Sequence, residues 1–110
     1  MSPQSRPIVV LVTASSEEEG SRIGRKLVED RLAACANVVP QIRSIFQWEG
    51  KVSEAQECLV ILKTREDLFM RVEQAVRGLH SYQVPEIIAL PIGAGSEPYL
   101  RWIDGETLKH

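Results

Sequence analysis

Between Ile42 and Thr64 lie two extended runs separated only by Glu49-Gly50, and the second of them, Lys51 to Thr64, is fourteen residues long. Fourteen extended residues cover roughly 45 Å at about 3.3 Å each. A chain of 110 residues folds to a radius of gyration of only ~13 Å. The hairpin must therefore project from the body as an arm or bend sharply. Its long strand is polar first (KVSEAQE) and apolar second (CLVILK), which assigns the second half to the core. Phe46 and Trp48 sit near the tip. Exposed aromatics on a projecting strand are an aggregation hazard unless another subunit covers them. An oligomer is expected on that ground alone.

The rest of the chain alternates between strand and helix periods. Pro7 to Thr13 (PIVVLVT) is apolar on both faces and reads as a central strand. Ser15 and Ser16 stand three residues ahead of Glu18 and Glu19, a capping-box pattern that opens a helix running to about Arg31. Gly20 and Gly24, one turn apart, either mark close packing on a neighbour or carry no meaning. Cys35 to Val39 is extended, and Pro40 points to an edge position or a bulge. From Arg65 the period is helical again, with Leu68, Val72, Val76 and Leu79 on one stripe. Val84 to Ile92 gives a fourth strand, and Tyr99, Leu100, Trp102 and Ile103 form a short amphipathic turn. The order β-α-β-β-α-β plus a terminal helix predicts an α+β, ferredoxin-like split β-α-β sandwich with a long hairpin extension. One domain, 1–110, is expected, with flexible ends at 1–6 and 104–110.

Composition narrows the function classes. A formal charge of -2 gives no basic surplus for phosphates, so no nucleic-acid partner is expected. No segment reaches the apolar length of a membrane span, and a cytoplasmic location is expected. Cys35 and Cys58 form neither a CxxC nor, with no second His nearby, a zinc pattern. Folding the hairpin about Glu49-Gly50 sets Cys58 opposite Gln41 and Cys35 near Lys63, too far apart for a disulfide. No GxGxxG, Walker loop or GxSxG elbow is present, and no nucleophile is visibly matched to a base, so an enzyme is not expected.

The segments VLVTASSEE, KLVEDRLAACANVVP, IFQWEGKV, LVILKT, HSYQVPEIIALPI and YLRWI, in order from about Ile8 to Ile103, resemble the CutA divalent-cation tolerance family. The resemblance implies a ferredoxin-like fold and a tightly packed homotrimer in which the long hairpins pair with neighbouring subunits. It also implies a link to cation tolerance and copper(II) binding. Copper-binding members of that family tend to carry a cysteine in the first strand and a His-His pair before a PY segment. Here the matching positions are Val12, Leu79 and His80, and Ser81 replaces the proline. Two of the three implied ligands are thus absent. The trimer is similar in architecture to the PII signalling proteins, an analogy of fold only.

Several residues have two readings each. His80, the only imidazole besides the terminal His110, is either a metal ligand, with Glu86 alongside, or a helix-terminal ring bonding backbone carbonyls. Lys63 at the end of the buried strand either snorkels to water or lines a ligand cleft between subunits with Tyr82 and Cys35, meeting a partner such as Glu86. Cys35 alternatively packs as a small apolar residue. Phe46, Trp48 and Trp102 are expected at the trimer interface. The carboxylate groups Glu17 to Glu19 and Glu54 with Glu57 read as solvated. The expected function is a homotrimer in divalent-cation tolerance that binds Cu(II) or another divalent metal. The alternative is a PII-like trimer that holds a small ligand or anchors other proteins without a physiological metal.

Overall fold

The computed structural model of the chain describes residues 5–109. Four strands form one antiparallel sheet in the order β2-β3-β1-β4: β1 Pro7–Ala14, β2 Cys35–Trp48, β3 Lys51–Arg65 and β4 Ile87–Pro91. Helices α1 (Glu17–Glu29) and α2 (Phe69–Leu79) fill the two crossovers, and α3 (Glu97–Glu106) follows β4. This is the expected ferredoxin-like arrangement.

One face of the sheet is sealed. Ile8, Val10, Val12 and Ala14 of β1 and Cys58, Val60 and Leu62 of β3 pack beneath Ile23, Leu27, Val72 and Val76 of the two helices. Burying each Val, Leu or Ile side chain among them contributes roughly 1.5–3 kcal/mol. Neither α1 nor α2 covers the other face. Register places Leu59, Leu11 with Ile61 and Ile88, and Val9 with Lys63 and Leu90 side by side there. Ile88 and Leu90 remain about half exposed, at 49% and 50%.

Helix α1 begins and ends as its sequence requires. Ser16 caps it by accepting from the Glu19 N–H at 3.1 Å. At its end Arg31 takes φ 59, Leu32 N–H donates to Leu27 O and Arg31 N–H to Val28 O. That pair of bonds is a Schellman closure built without glycine, and it stops the helix at Glu29, short of Arg31. The two helix glycines are there for contact. A Cβ on Gly20 would lie 2.5 Å from Cys58 Sγ, and one on Gly24 3.0 Å from Ala36 Cβ.

The arm is real. The molecule measures 51 × 26 × 21 Å, and the hairpin turns through Glu49 (φ 51) and Gly50 (φ 79), both left-handed as a two-residue I′ turn requires. β2 runs unbroken through Pro40, which is absorbed in a bulge between Val39, opposite Leu59, and Ile42, opposite Glu57. The extra residue reverses the parity of β2. Phe46 and Trp48 thereby share a face with Ser53 and Glu57, continuous with the open face of the sheet. Cys35 pairs with Lys63 and Cys58 faces the bulge, and both thiols are free.

Two expectations are corrected. The fourth strand is Ile87–Pro91 instead of Val84 to Ile92; Pro85, just before it, has no N–H to give a ladder. The expected terminal helix is α3, ten residues long. The segment from residue 104 packs where flexibility was expected: Thr107 is 1% exposed, Arg65 donates to Thr107 Oγ1 and Leu108 O, and Leu108 N–H bonds Arg31 O. At the other end, Ser5 and Arg6 bond Asp67 and Glu66, while residues 1–4 lie outside the described residues.

Candidate functional site

The β1–α1 loop and the α2–β4 loop meet at one end of the buried helix layer, at the base of the arm. Glu19 joins them. Its carboxylate accepts from Ser15 N–H (2.9 Å), Ser15 Oγ (3.0 Å) and, across 62 residues, Ser81 N–H (2.8 Å). The residue is 4% exposed. Burial alone would raise its carboxyl pKa, but the hydrogen bonds from Ser15 and Ser81 outweigh it and hold the group at about 2. The sequence pattern showed Glu19 as a helix-capping, solvated acid. Its bond to Ser81 had no local signal.

His80 follows α2 as its C-cap, and its side chain is fully buried. Nε2 lies 2.6 Å from Thr13 O, a carbonyl that only accepts, so Nε2 carries a proton. Nδ1 then accepts the Tyr82 N–H at 3.0 Å. Glu19 Oε1 is 4.0 Å from Nδ1. With both nitrogens engaged, His80 presents no lone pair to a metal. Its geometry matches the carbonyl-bonding reading, with a β1 carbonyl in place of the helix's own.

Tyr82 extends from this hub toward the arm. Its ring lies against His80, centroids 4.8 Å apart, and its hydroxyl donates to Glu57 Oε2 at 2.7 Å. Burial, then the hydrogen bond and charge of Glu57, then the charge of Glu19 push the phenol up to about 12. Between the loop and the arm opens a cleft of about 960 Å³ whose walls include Thr13, Phe46, Trp48, Glu57, Tyr82 and Glu86. Two carboxylates and three aromatic rings line it, and none of its lining residues is Lys, Arg or His.

The other expected site residues lie elsewhere. Lys63 donates to Asn37 Oδ1, so its partner is an amide from the neighbouring strand where Glu86 had been expected. Cys35 lies directly across from Lys63, with its thiol 3.7 Å from the same amide oxygen. Burial, then the neighbouring Cys35, push the Tyr99 phenol up. Lys63 lies six positions along β3 from Glu57, roughly 20 Å of strand. Within one chain, then, Cys35 and Lys63 form one group and Tyr82 with Glu86 another. Trp102 stacks on Tyr99, centroids 5.4 Å apart, on α3 and away from the arm aromatics. Among the described residues no group of three His, Cys, Asp or Glu side chains is placed to hold a metal.

Residues 8–106 match the family model described as CutA1 divalent ion tolerance protein. The chain is 48% identical over 99 residues to the divalent-cation tolerance protein CutA of Thermus thermophilus, covering 90% of this chain and 96% of that one. It is 46% identical over 100 residues to the chloroplastic protein CutA of Arabidopsis thaliana, of which it spans only 55%. The crystal structure of CutA1 from Oryza sativa superposes with a TM-score of 0.94 at 43% identity, over 99% of this chain and all of that one. The Thermus thermophilus structure gives 0.90 at 48% identity, over 92% and 98%. Shared sequence, fold and hairpin arm thus agree along nearly the full length, and the chain belongs to the CutA1 divalent ion tolerance family.

Proposed function

We propose that this chain works as a homotrimer in divalent-cation tolerance and binds divalent metal ions such as copper(II) beside Tyr82. The observation that carries the trimer is the uncovered apolar sheet face, continued by the bulge onto the Phe46 and Trp48 side of the arm. Such a surface needs a partner, and copies of this chain carry matching ones. The metal reading rests on the relatives' common name and on the carboxylates of Glu57 and Glu86 in the arm cleft. Two carboxylates fall short of the several nitrogen, sulfur or oxygen donors that copper requires. The proposal therefore draws further donors from a neighbouring copy, with His80 supporting the loop from behind.

The test is a calorimetric Cu(II) titration of the protein and of Glu86→Gln, His80→Ala and Lys63→Ala, with light scattering to count subunits. A mass of three chains and one saturable site per chain, weakened in Glu86→Gln and unchanged in Lys63→Ala, is the expected result. Heat without saturation would sink the metal reading; a monomer would sink the trimer. The volume of the cleft favours a second reading. About 960 Å³ suits a small organic ligand, as in a PII-like homotrimer or a protein anchor without a physiological metal. That reading predicts stabilisation by a small molecule that Tyr82→Ala abolishes, with metal binding absent.

A further inference from the structure

Helix α3 is poorly equipped to hold itself. It has ten residues, fewer than the ~12–15 at which an isolated helix becomes marginally stable. Gly105 lies inside it, Ser96 makes no side-chain cap bond, and Ile103 is its buried residue. Tyr99 and Trp102 on its outer side are each 43% exposed. The helix is nevertheless continuous from Glu97 to Glu106, so contacts beyond its own turns hold it.

Those contacts gather just past its C-terminal end. Thr107, the C-cap, donates its hydroxyl to Ile103 O at 2.9 Å and accepts from Arg65 Nη1 at 2.7 Å. Arg65 Nη2 donates to Leu108 O, and Nε to Asp67 Oδ1 at 3.0 Å. The Arg65 side chain is only 4% exposed. A guanidinium cannot shed its charge, and a buried charged donor left without an acceptor is costly. Thr107 and Leu108 are therefore held by that charge's need for acceptors. A second grip comes from the loop after α1. Leu108 N–H donates to Arg31 O, and Arg31 Nη2 donates to Gly105 O at 3.1 Å. Arg31 stands at φ 59, where glycine would be unstrained; arginine there exchanges that strain for a hold on α3. Lys109 Nζ closes the segment back on Asp104 O and Oδ2. We propose that residues 107–109 form a clasp that keeps α3 folded and docked, gripped by Arg65 from the end of β3 and by Arg31 from the loop after α1. With the clasp closed, the stacked Tyr99–Trp102 pair is presented in one place. With it open, α3 loses its cap and its outside bonds together, and the pair loses its position.

The proposal is independent of the metal reading and is tested without metal. Amide hydrogen exchange is followed by mass spectrometry in the intact protein, Thr107→Val, Thr107→Ser, Arg31→Gly and a chain ending at Glu106. Thr107→Val keeps the shape and removes only the hydroxyl. It is expected to speed exchange of α3 amides by about tenfold, as loss of one hydrogen bond to a buried charge allows, with β1 and β3 amides unchanged. Thr107→Ser keeps the hydroxyl and should retain most of the protection. Arg31→Gly should speed α3 exchange while α1 keeps its protection, since glycine suits the left-handed φ. The shortened chain should lose α3 protection altogether. Full α3 protection in the shortened chain would overturn the clasp, because contacts with another copy would then be holding the helix. So would acceleration spread evenly over sheet and helices, which marks a loss of global stability, or equal acceleration in Thr107→Ser and Thr107→Val.

Discussion

The two halves of β3 are one strand with two fates. From Cys58 to Arg65 its alternate side chains are sealed, with Cys58, Val60, Leu62 and Thr64 at 0% exposure. From Lys51 to Glu57 the same backbone carries Val52 at 68% exposure and an exposed Arg43–Glu54 pair 3.9 Å apart across the ladder. The body half is laddered on both edges, to β1 and to β2, while the arm half has only β2 beside it. They differ in the third dimension as well: the body half lies under two helices. Ladder bonds hold a strand's conformation, but the free energy of this protein sits where side chains leave water. The arm's conformation is specified locally, and its orientation is borrowed from contacts outside the ladder.

The largest effect should come from the sealed half. Leu62→Ala is expected to cost about 3 kcal/mol through lost burial and a residual cavity, read as a lowered denaturant midpoint. Glu19 comes next. Its folded-state pKa of about 2 lies below the ordinary 4.5, so its stabilisation is complete above pH 4.5 and is lost as pH falls from there through 2. That contribution is about 3 kcal/mol. Glu19→Gln should flatten the acid limb of a stability-against-pH curve over that window, and an unchanged acid limb would contradict the assignment. Gly20→Ala should cost about 1–3 kcal/mol by overpacking against Cys58, offset by about 1 kcal/mol of helix propensity. Cys58→Ala in the same chain should recover the difference in melting temperature. The smallest effects belong to the arm. Val52→Ala and Arg43→Ala should each change stability by less than about 0.5 kcal/mol. If Val52→Ala instead cost as much as Leu62→Ala, the arm would be sealed as tightly as the body, and in solution only an assembly could do that.

Much of this architecture was legible in residue order. The alternation in Pro7 to Thr13, the 3.6 period through Leu68, Val72 and Val76, and Glu49-Gly50 between two extended runs each carry their own structural signal. The polar-then-apolar split of β3 even foretold which half would be buried. The site was read less well. His80 and Tyr82 were each singled out, but the ring's partners are a carbonyl 67 residues away and an amide two residues on. Glu19 and Glu57 looked like surface acids because their environment is made by other segments. Lys63 was read as either snorkelling to water or meeting a carboxylate such as Glu86, and within the chain it donates to Asn37, diagonal to it across the ladder.

Periodicity, caps and turn residues act over a few neighbours, so a linear chain suffices to write the elements and their order. Which face of β2 carries Phe46 and Trp48 depended on one bulge residue, since a single insertion reverses strand parity. Whether an acid is solvated or buried, and whether an imidazole keeps a free lone pair, depended on loops brought together across more than sixty positions. Hydrogen bonds between distant loops leave no local pattern, because either partner alone has the composition of ordinary surface.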